Sequence, residues 1–229
     1  MKLEYGLESP IYNLIYLVIP KCACTSLIQW WACIHHDKIK DRPEARRKYG
    51  THVNSDLTKK KMVVIRDPID RFISAFCNKF VSMAIRNGHP DWTANLLLDR
   101  LKIQKKPTEI TFIEIVDALN RESLHRLDPH WLPQSHYTLD TKFDYIINFN
   151  DLKNGLIKVC TDLNLECNLI HENKTNYRKV LYNAIETPVK DIINAGIIPD
   201  KESLLNPAIV TKLKEIYKAD YDIARKNQN

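Results

Sequence analysis

A chain of 229 residues is long enough to bury a core without disulfides or metals, and its 44% hydrophobic and 27% charged residues are ordinary for a globular protein. Lys and Arg exceed Asp and Glu by 34 − 28 = 6, a modest excess that suits anionic ligands without requiring nucleic acid. The N-terminal residues have no long apolar segment after a basic one, and the apolar run from Ile15 is too short to span a membrane. We therefore expect no signal peptide or membrane anchor, and one domain over residues 1–229 in the cytoplasm.

Six cysteines in such a chain fit reduced thiols better than a disulfide framework; they are Cys22, Cys24, Cys33, Cys77, Cys160 and Cys167. The first two form a C-x-C pair that could bind a metal. No His or Cys pair with the spacing of a zinc site accompanies them, so we expect no metal site.

The stretch LIYLVIPKCACTSL, at residues 14–27, begins with a continuous apolar run that predicts a strand buried on both faces and ended by Pro20. The apolar spacing that follows predicts an amphipathic helix capped by Thr25 or Ser26. A tight loop with Lys21 before a helix N-terminus favours an anion, and we expect a phosphate there. The loop lacks the glycines of a GxxxxGK[ST] nucleotide loop. The alternative is a core helix with a surface lysine.

Residues 35–50 carry a run of Lys and Arg that is either a solvated face or one wall of a cleft for an acidic substrate. YGTHVNSDL, at residues 49–57, is predicted as a short strand or loop that carries His52. Residues 62–65 are predicted as a second buried strand. It leads into RDPIDRFISAF, where Asp67 can cap a helix whose first residue is Pro68.

On that helix we expect the apolar side chains on one face and Arg71, Ser74 and Asn78 on the opposite one. The polar face starts beside Arg66, at the carboxyl end of a strand, and ligands of open α/β sheets bind at this edge. Two such turns, with Lys21 and Arg66, would hold two separate phosphates. The alternative is a core helix with a surface Arg-Ser pair.

Later elements are predicted in the order helix, helix, loop, strand, helix, helix, at residues 91–102, 110–120, 127–138, 143–149, 150–160 and 206–226. The loop, LDPHWLPQSHYT, is dense in His, Trp and Gln. Such a loop either lines a site or packs a buried tryptophan.

Two of these motifs, VIPKCACTSL and VVIRDPIDRFISAFCNKF, resemble those of carbohydrate sulfotransferases that use 3'-phosphoadenosine 5'-phosphosulfate (PAPS), in sulfotransferase family 2. HWLPQS, FDYIINFNDL and EIYKADYDI resemble further elements of the chondroitin, dermatan and HNK-1 type enzymes, in family order. YGTHVNSDL resembles the histidine segment of uronyl 2-O-sulfotransferases. The resemblance runs from Ile15 to Ile223 and implies an α/β, three-layer, P-loop NTPase-like fold with a central parallel sheet flanked by helices.

The resemblance implies a bacterial-type, cytosolic enzyme that transfers a sulfuryl group from PAPS to a carbohydrate hydroxyl, without a metal. The residues implied for the 5'-phosphosulfate are Lys21, Cys22, Ala23, Cys24, Thr25 and Ser26, and those for the 3'-phosphate are Arg66 and Ser74. Lys21 would also stabilise charge on the leaving group. A histidine suits the general base. We expect His52, with His130 as the second candidate and a carboxylate such as Glu44 left open.

Two departures leave the acceptor sugar open, because Asn150 and Ala224 replace the family's Glu and Phe. The acceptor can be acidic, since Arg46, Arg47 and the lysines at 59–61 could engage it. Two other functions stay open at this stage. A P-loop kinase would need Mg-ATP and a glycine loop, and a non-catalytic nucleotide- or polysaccharide-binding protein would keep the fold without transfer. The sequence does not give the oligomeric state.

Overall fold

The structure, a computed structural model, describes residues 5–121, 124–138, 141–165 and 178–223. Its central sheet has the strand order β3-β1-β2-β4-β5, with β1 (Tyr5–Glu8), β2 (Leu14–Leu17), β3 (Gly50–His52), β4 (Lys60–Ile65) and β5 (Tyr145–Asn148). Strand β2 is parallel to β4, and β4 to β5, whereas β1 is antiparallel to both β2 and β3. Four of the five strands therefore run in one direction.

The helices of the described residues are α1 (Cys24–Ile34), α2 (Arg42–Tyr49), α3 (Pro68–Phe76), α4 (Met83–Asn87), α5 (Trp92–Arg100), α6 (Phe112–Leu119), α7 (Ser135–Thr138), α8 (Leu152–Asp162), α9 (Val189–Asn194) and α10 (Pro207–Ile216). A second, two-stranded sheet pairs β6 (Arg178–Lys179) with β7 (Ile198–Pro199). The predicted α/β class, with a central and mostly parallel sheet flanked by helices, is confirmed. No helix in the described part of the chain is long and apolar enough to cross a membrane.

The chain divides into two units, each described here by itself. The sheet unit comprises Met1–Asp67, Gln134–Lys174 and Tyr221–Asn229, as far as these ranges are described. The helical unit comprises Pro68–Pro133 and Thr175–Asp220, with the same restriction. One domain over residues 1–229 stays a prediction. Two residues used in the sequence argument, Cys167 and Ala224, lie outside the described residues.

The core of the sheet unit is built on β2, whose four residues are all buried, as the continuous apolar run predicts for a central parallel strand. Helix α1 buries its apolar stripe in the same unit; the buried side chains are Leu27, Ile28, Trp30, Trp31, Ala32 and Ile34. Helix α8 packs against β5, and α2 packs against β1 and β3. The strand and helix predicted around the Lys21 loop are therefore confirmed as elements.

The start of α1 differs from the prediction, because neither Thr25 nor Ser26 is the N-cap. The helix begins at Cys24, and its N-cap is Ala23, whose φ of 58° lies in the left-handed region. The cause is the tight turn before it: the Cys22 N–H donates to the Ile19 carbonyl at 3.3 Å, which reverses the chain within four residues. Thr25 and Ser26 therefore lie inside the first helical turn.

In the helical unit, α3 begins at Pro68 as predicted, and a six-residue π-helix, Cys77–Ser82, follows it. Its core is an aromatic cluster of Phe72, Phe76, Phe80, Phe112, Trp131 and Tyr217, whose ring centroids lie 4.9 to 6.0 Å apart in the contacting pairs. The buried Trp131 agrees with the packing alternative for the His- and Trp-rich loop.

The expected polar face of α3 is wrong at Arg71. This side chain is only 2% exposed, and its guanidinium donates to the carbonyls of Leu132 and Pro129 at 2.7 and 3.0 Å. A guanidinium can be buried when backbone acceptors satisfy its N–H groups, a condition that helical spacing cannot reveal.

Two predictions about element boundaries are also wrong. Residues 42–49, treated as part of a polar stretch, form α2, which starts where the Asp41 carboxylate accepts from the Glu44 N–H at 2.9 Å. The C-terminal helix predicted over residues 206–226 ends at Ile216, and a 3₁₀ turn, Lys218–Asp222, follows. Short helices of this kind depend on capping and tertiary packing more than on apolar periodicity.

Candidate functional site

The carboxyl ends of β2, β3, β4 and β5 meet at one edge of the central sheet, because these four strands run in the same direction. Leu17 pairs with Val63, and Ile65 pairs with Asn148, so the segments that follow these strands leave the sheet at about the same level. The Lys21 loop follows β2, Arg66 follows β4, and Phe149 follows β5. The sheet unit thus brings Lys21 and Arg66 to one edge, as the sequence predicts.

The Lys21 loop makes its turn with residues other than glycine. Pro20 supplies the fixed φ of the first central position, and Lys21 takes the second with a φ of 68°. Ala23 adds another left-handed residue at 58°. Such values cost about 1 to 3 kcal/mol each for non-glycine residues and concentrate at functional sites. The loop therefore has a specialised backbone although it contains no glycine.

The groups that this loop offers are hydrogen-bond donors and positive charge. The first turn of α1 reads Cys-Thr-Ser-Leu and carries no carboxylate, and Ala23 has no side chain that could cap the helix. The N–H groups at the start of an 11-residue helix, the Lys21 ammonium and the hydroxyls of Thr25 and Ser26 together suit an anionic group. Cys22 contributes only its backbone, because its side chain is fully buried.

Arg66 is held against the loop by contacts on two sides. Its Nη1 donates to the Lys21 carbonyl at 3.2 Å, and its Cζ lies 4.3 Å from the centroid of the Phe149 ring. A guanidinium over an aromatic face gains a cation–π interaction and loses freedom. Phe149 lies in the motif FDYIINFNDL, and the sequence-based prediction gave it no contact with Arg66.

Gln134 connects the same two segments. Its Oε1 accepts from the Arg66 backbone N–H at 2.9 Å and from the Cys22 thiol at 3.2 Å, while its Nε2 donates to the Arg66 carbonyl at 2.7 Å. The side chain is buried, at 1% exposure. Gln134 lies in HWLPQS, and the sequence-based prediction gave it no role of its own; the available signal was the density of His, Trp and Gln in this loop.

His52 is the last residue of β3 and pairs with Tyr5. Its Nδ1 accepts from the Asn54 backbone N–H at 3.3 Å. Because the Val18 N–H donates to the Tyr5 carbonyl at 3.2 Å, one strand separates His52 from the segment that enters the Lys21 loop. Two inter-strand spacings amount to about 10 Å. His52 therefore lies at the same sheet edge, and its role as a base stays a prediction.

His130 belongs to the helical unit, where Asp128 holds its ring. The His130 Nδ1 lies 2.5 Å from Oδ1 of Asp128, a carboxylate that also accepts from the His130 backbone N–H at 3.0 Å. Burial alone would raise the pKa of the Asp128 carboxyl, but these hydrogen bonds outweigh it, and the pKa is lowered. An ionised carboxylate keeps the proton on Nδ1, so Nε2 is the basic atom of the neutral ring.

Ser74 also belongs to the helical unit, in the second turn of α3, where it is half-buried. Its expected contact with a 3'-phosphate stays a prediction.

The basic residues proposed for an acidic acceptor divide into two groups. The first group forms ion pairs with carboxylates. Arg47 Nη2 lies 3.8 Å from Glu44 Oε1, Lys59 Nζ lies 2.7 Å from Glu8 Oε1, and Lys60 Nζ lies 2.9 Å from Asp144 Oδ1. Lys59 and Lys60 stand at the amino end of β4, which is the sheet edge opposite to the Lys21 loop. The lysines at 59–61 therefore cannot serve an acceptor at the carboxyl edge.

Arg46 and Arg42 form the second group, and neither forms an ion pair with a described carboxylate. The Arg46 guanidinium lies 4.8 Å from the centroid of the Tyr5 ring, and Tyr5 pairs with His52. Burial raises the pKa of the Tyr5 phenol to about 12, although the positive charges of Arg42 and Arg46 act in the opposite direction. Both arginines thus stand close to the edge that carries His52.

Free thiols are present at Cys22, Cys24, Cys33, Cys77 and Cys160. Within the described residues, no group of three or more His, Cys, Asp or Glu side chains could hold a metal ion.

A comparison with models of protein families matches residues 7–223 to the sulfotransferase family. The chain belongs to the sulfotransferase family. This confirms the resemblance stated from the motifs, over nearly the whole sequence. Membership implies sulfuryl transfer from PAPS to an acceptor. Comparisons with curated proteins and with solved structures find no match.

Proposed function

We propose that this sulfotransferase transfers the sulfuryl group of PAPS to a hydroxyl of a carbohydrate acceptor, giving adenosine 3',5'-bisphosphate and a sulfated glycan. The observation that carries the proposal is the junction of the Lys21 loop and Arg66, where Arg66 Nη1 donates to the Lys21 carbonyl. A nucleotide with phosphate groups at both ends of its ribose matches two neighbouring cationic turns. The carbohydrate acceptor follows from the motifs that resemble those of carbohydrate sulfotransferases.

The reaction moves SO₃ from one oxygen to another. The bond between sulfur and the bridging phosphate oxygen breaks, a bond from sulfur to the acceptor oxygen forms, and the hydroxyl proton passes to a base. The chain supplies charge and position: Lys21 and the N–H groups at the start of α1 stabilise the negative charge that grows on the 5'-phosphate side. The remaining rate enhancement comes from holding the reactants in line.

We propose His52 as the general base, with His130 as the second candidate. His52 stands at the sheet edge of the Lys21 loop, but to accept a proton on Nδ1 it must give up the 3.3 Å contact from Asn54. His130 has the ring orientation of an acid–base histidine, because Asp128 holds its Nδ1. A positioned base contributes roughly two to four orders of magnitude in rate.

An acidic acceptor is supported by Arg42 and Arg46, which carry charge without a described carboxylate partner near His52. A guanidinium binds a carboxylate or a sulfate through two parallel N–H donors. The acceptor group that we propose is therefore a sugar with a negatively charged neighbour.

The first experiment is a thermal-shift titration with adenosine 3',5'-bisphosphate, AMP and Mg-ATP. A ligand that binds only the folded state raises the melting temperature, and the stabilisation grows with the logarithm of the ligand concentration relative to its Kd. We expect the bisphosphate to stabilise the protein more than AMP at the same concentration. Stabilisation by Mg-ATP alone would contradict the proposal and favour a kinase.

The second experiment measures transfer from PAPS to a panel of glycans that contains acidic and neutral polysaccharides. Formation of adenosine 3',5'-bisphosphate and of a sulfated product is expected with at least one of them. A protein that binds the bisphosphate but transfers to no carbohydrate in a broad panel would have to use another acceptor or act only as a binding protein.

A further inference from the structure

The buried side chain of Gln134 hydrogen-bonds to both cationic turns. It touches the Lys21 loop through the Cys22 thiol, and it touches the end of β4 through both the N–H and the carbonyl of Arg66. The three distances lie between 2.7 and 3.2 Å, and each polar atom of the amide is used in at least one of them. The helix that follows, α7, begins at the next residue.

We propose that Gln134 is a positioning residue that fixes the spacing between the 5'-phosphosulfate turn and the 3'-phosphate turn, and so determines how well the protein binds a nucleotide with both groups. This inference rests on the proposed function, because it takes Lys21 and Arg66 as the residues that bind the nucleotide.

The physical reason lies in the geometry of the amide. The two backbone contacts to Arg66 fix the plane of the amide, since one is accepted by Oε1 and the other is donated by Nε2. The thiol contact then fixes Cys22 relative to that plane. Replacing Gln134 would remove these contacts between the two turns, while the hydrogen bond from Arg66 Nη1 to the Lys21 carbonyl would stay in place.

A side chain with an oxygen and a donor nitrogen is needed here. An apolar side chain would leave the half-buried Arg66 N–H and carbonyl without these partners. A carboxylate could accept from the Arg66 N–H and from the thiol, but its second oxygen would face the Arg66 carbonyl, which is also an acceptor. Only the protonated carboxylic acid could reproduce the pattern of the amide.

The test compares the affinities for adenosine 3',5'-bisphosphate and for AMP in the wild type and in Gln134→Ala. AMP has one phosphate and contacts one of the two turns, so its binding tolerates a change in the spacing between them. The bisphosphate must contact both turns at once. We expect the bisphosphate affinity of Gln134→Ala to fall about tenfold and its AMP affinity to fall much less. Gln29→Ala, which removes an exposed glutamine on α1, is the matched control and should leave both affinities unchanged.

Gln134→Glu separates positioning from general loss of structure. If the acid form restores the contacts, the bisphosphate affinity of this variant, taken relative to the wild type at the same pH, should rise as the pH is lowered. The variant Cys22→Ala should also be non-additive with Gln134→Ala, because both remove the same link.

The outcomes distinguish this inference from the proposed function. If the wild type itself fails to prefer the bisphosphate over AMP, the proposed function is wrong. If the wild type shows the preference and Gln134→Ala keeps the same ratio of affinities, only the positioning role is wrong. A Gln134→Ala protein that does not fold is replaced by Gln134→Glu, whose pH profile then decides: a flat profile relative to the wild type overturns the inference.

Discussion

At the residue scale, we expect the charges of Lys21 and Arg66 to supply most of the nucleotide affinity. A charge-assisted hydrogen bond contributes about 1.5 to 3 kcal/mol, which corresponds to an order of magnitude or more in binding. We therefore expect Lys21→Ala and Arg66→Ala each to weaken bisphosphate binding at least about tenfold, as measured by isothermal titration calorimetry. Arg66→Lys should also bind less tightly, because a lysine cannot reproduce both the Lys21 carbonyl contact and the stacking on Phe149.

Lys153→Ala is the control for these variants, since it removes an exposed lysine of α8 from the same unit. Equal losses in this variant and in Lys21→Ala would mean that nonspecific attraction, rather than a site, binds the nucleotide.

The base is also decided at the residue scale. We expect His52→Ala to retain bisphosphate binding and to lose transfer by about two orders of magnitude or more, because it removes the acceptor of the hydroxyl proton. Single-turnover transfer from PAPS measures the loss. Full activity of His52→Ala together with inactive His130→Ala would move the base to His130, and Asp128→Asn should then reduce the rate as well, since it removes the negative charge beside Nδ1.

The charge of Arg46 should affect how well the enzyme binds an acidic acceptor. Arg46→Gln should raise the KM for an acidic glycan more than for a neutral one, because the guanidinium beside Tyr5 carries no described ion pair. Arg47→Gln is matched in residue type and helix, but Arg47 is paired with Glu44, so it should leave the KM values nearly unchanged. Equal effects of the two substitutions would contradict an acceptor contact at Arg46.

At the element scale, the close approach of α8 to β5 depends on Gly155. A Cβ at this position would overlap Cγ2 of Ile147 and lie 3.0 Å from its Cγ1. Alanine is favoured over glycine by up to about 1 kcal/mol in a helix, but overpacking costs about 1 to 3 kcal/mol. We expect Gly155→Ala to lower the free energy of unfolding, as measured by urea denaturation.

Lys153→Ala serves as the control on the same helix and should be nearly neutral or slightly stabilising. A Gly155→Ala protein more stable than the wild type would show that helix and strand separate at little cost.

At the scale of the whole molecule, stability should rise with pH through the acidic range. Burial raises the pKa of several carboxyl groups, but hydrogen bonds from side chains and backbone N–H groups, together with nearby Lys or His charges, outweigh it and lower the pKa; Asp91, Glu114, Asp128 and Asp144 are examples. A lowered pKa in the folded state means that the unfolded state binds more protons, so stability is present above the unfolded pKa of about 4 and is lost as the pH falls through the folded value.

His35 extends this dependence toward neutral pH. Burial lowers the pKa of its ring, which contacts Ser9 Oγ at 2.8 Å and the Trp31 carbonyl at 2.7 Å. The contribution of His35 to the free energy of unfolding is fully present above about pH 6.5 and declines below it. As the pH falls, the ring takes up a proton in the unfolded state before it does so in the folded state. Urea denaturation at pH 7.5 and 5.5 should show a larger loss for the wild type than for His35→Gln, whereas His89→Gln, at an exposed histidine, should behave as the wild type.

The sequence by itself determined the class of fold and the positions of Lys21 and Arg66 after two parallel strands. The apolar run at residues 14–19 has the length and composition of a buried parallel strand, and Pro68 marks the start of α3 because proline fits the first helical position. Both signals are local, so they can be read without knowing the partners of each residue. The same holds for Lys21 and Arg66, which directly follow their strands.

Only the tertiary structure decided which polar side chains are buried in the scaffold. Arg71 and Gln134 are buried against backbone groups of distant segments, 58 to 68 residues away in sequence. Helical periodicity cannot distinguish such a side chain from an exposed one, because the difference lies in the acceptors that folding brings to it. The same reason applies to Lys59 and Lys60: their charge is visible in the sequence, but the parallel register of β4 assigns them to the opposite edge of the sheet.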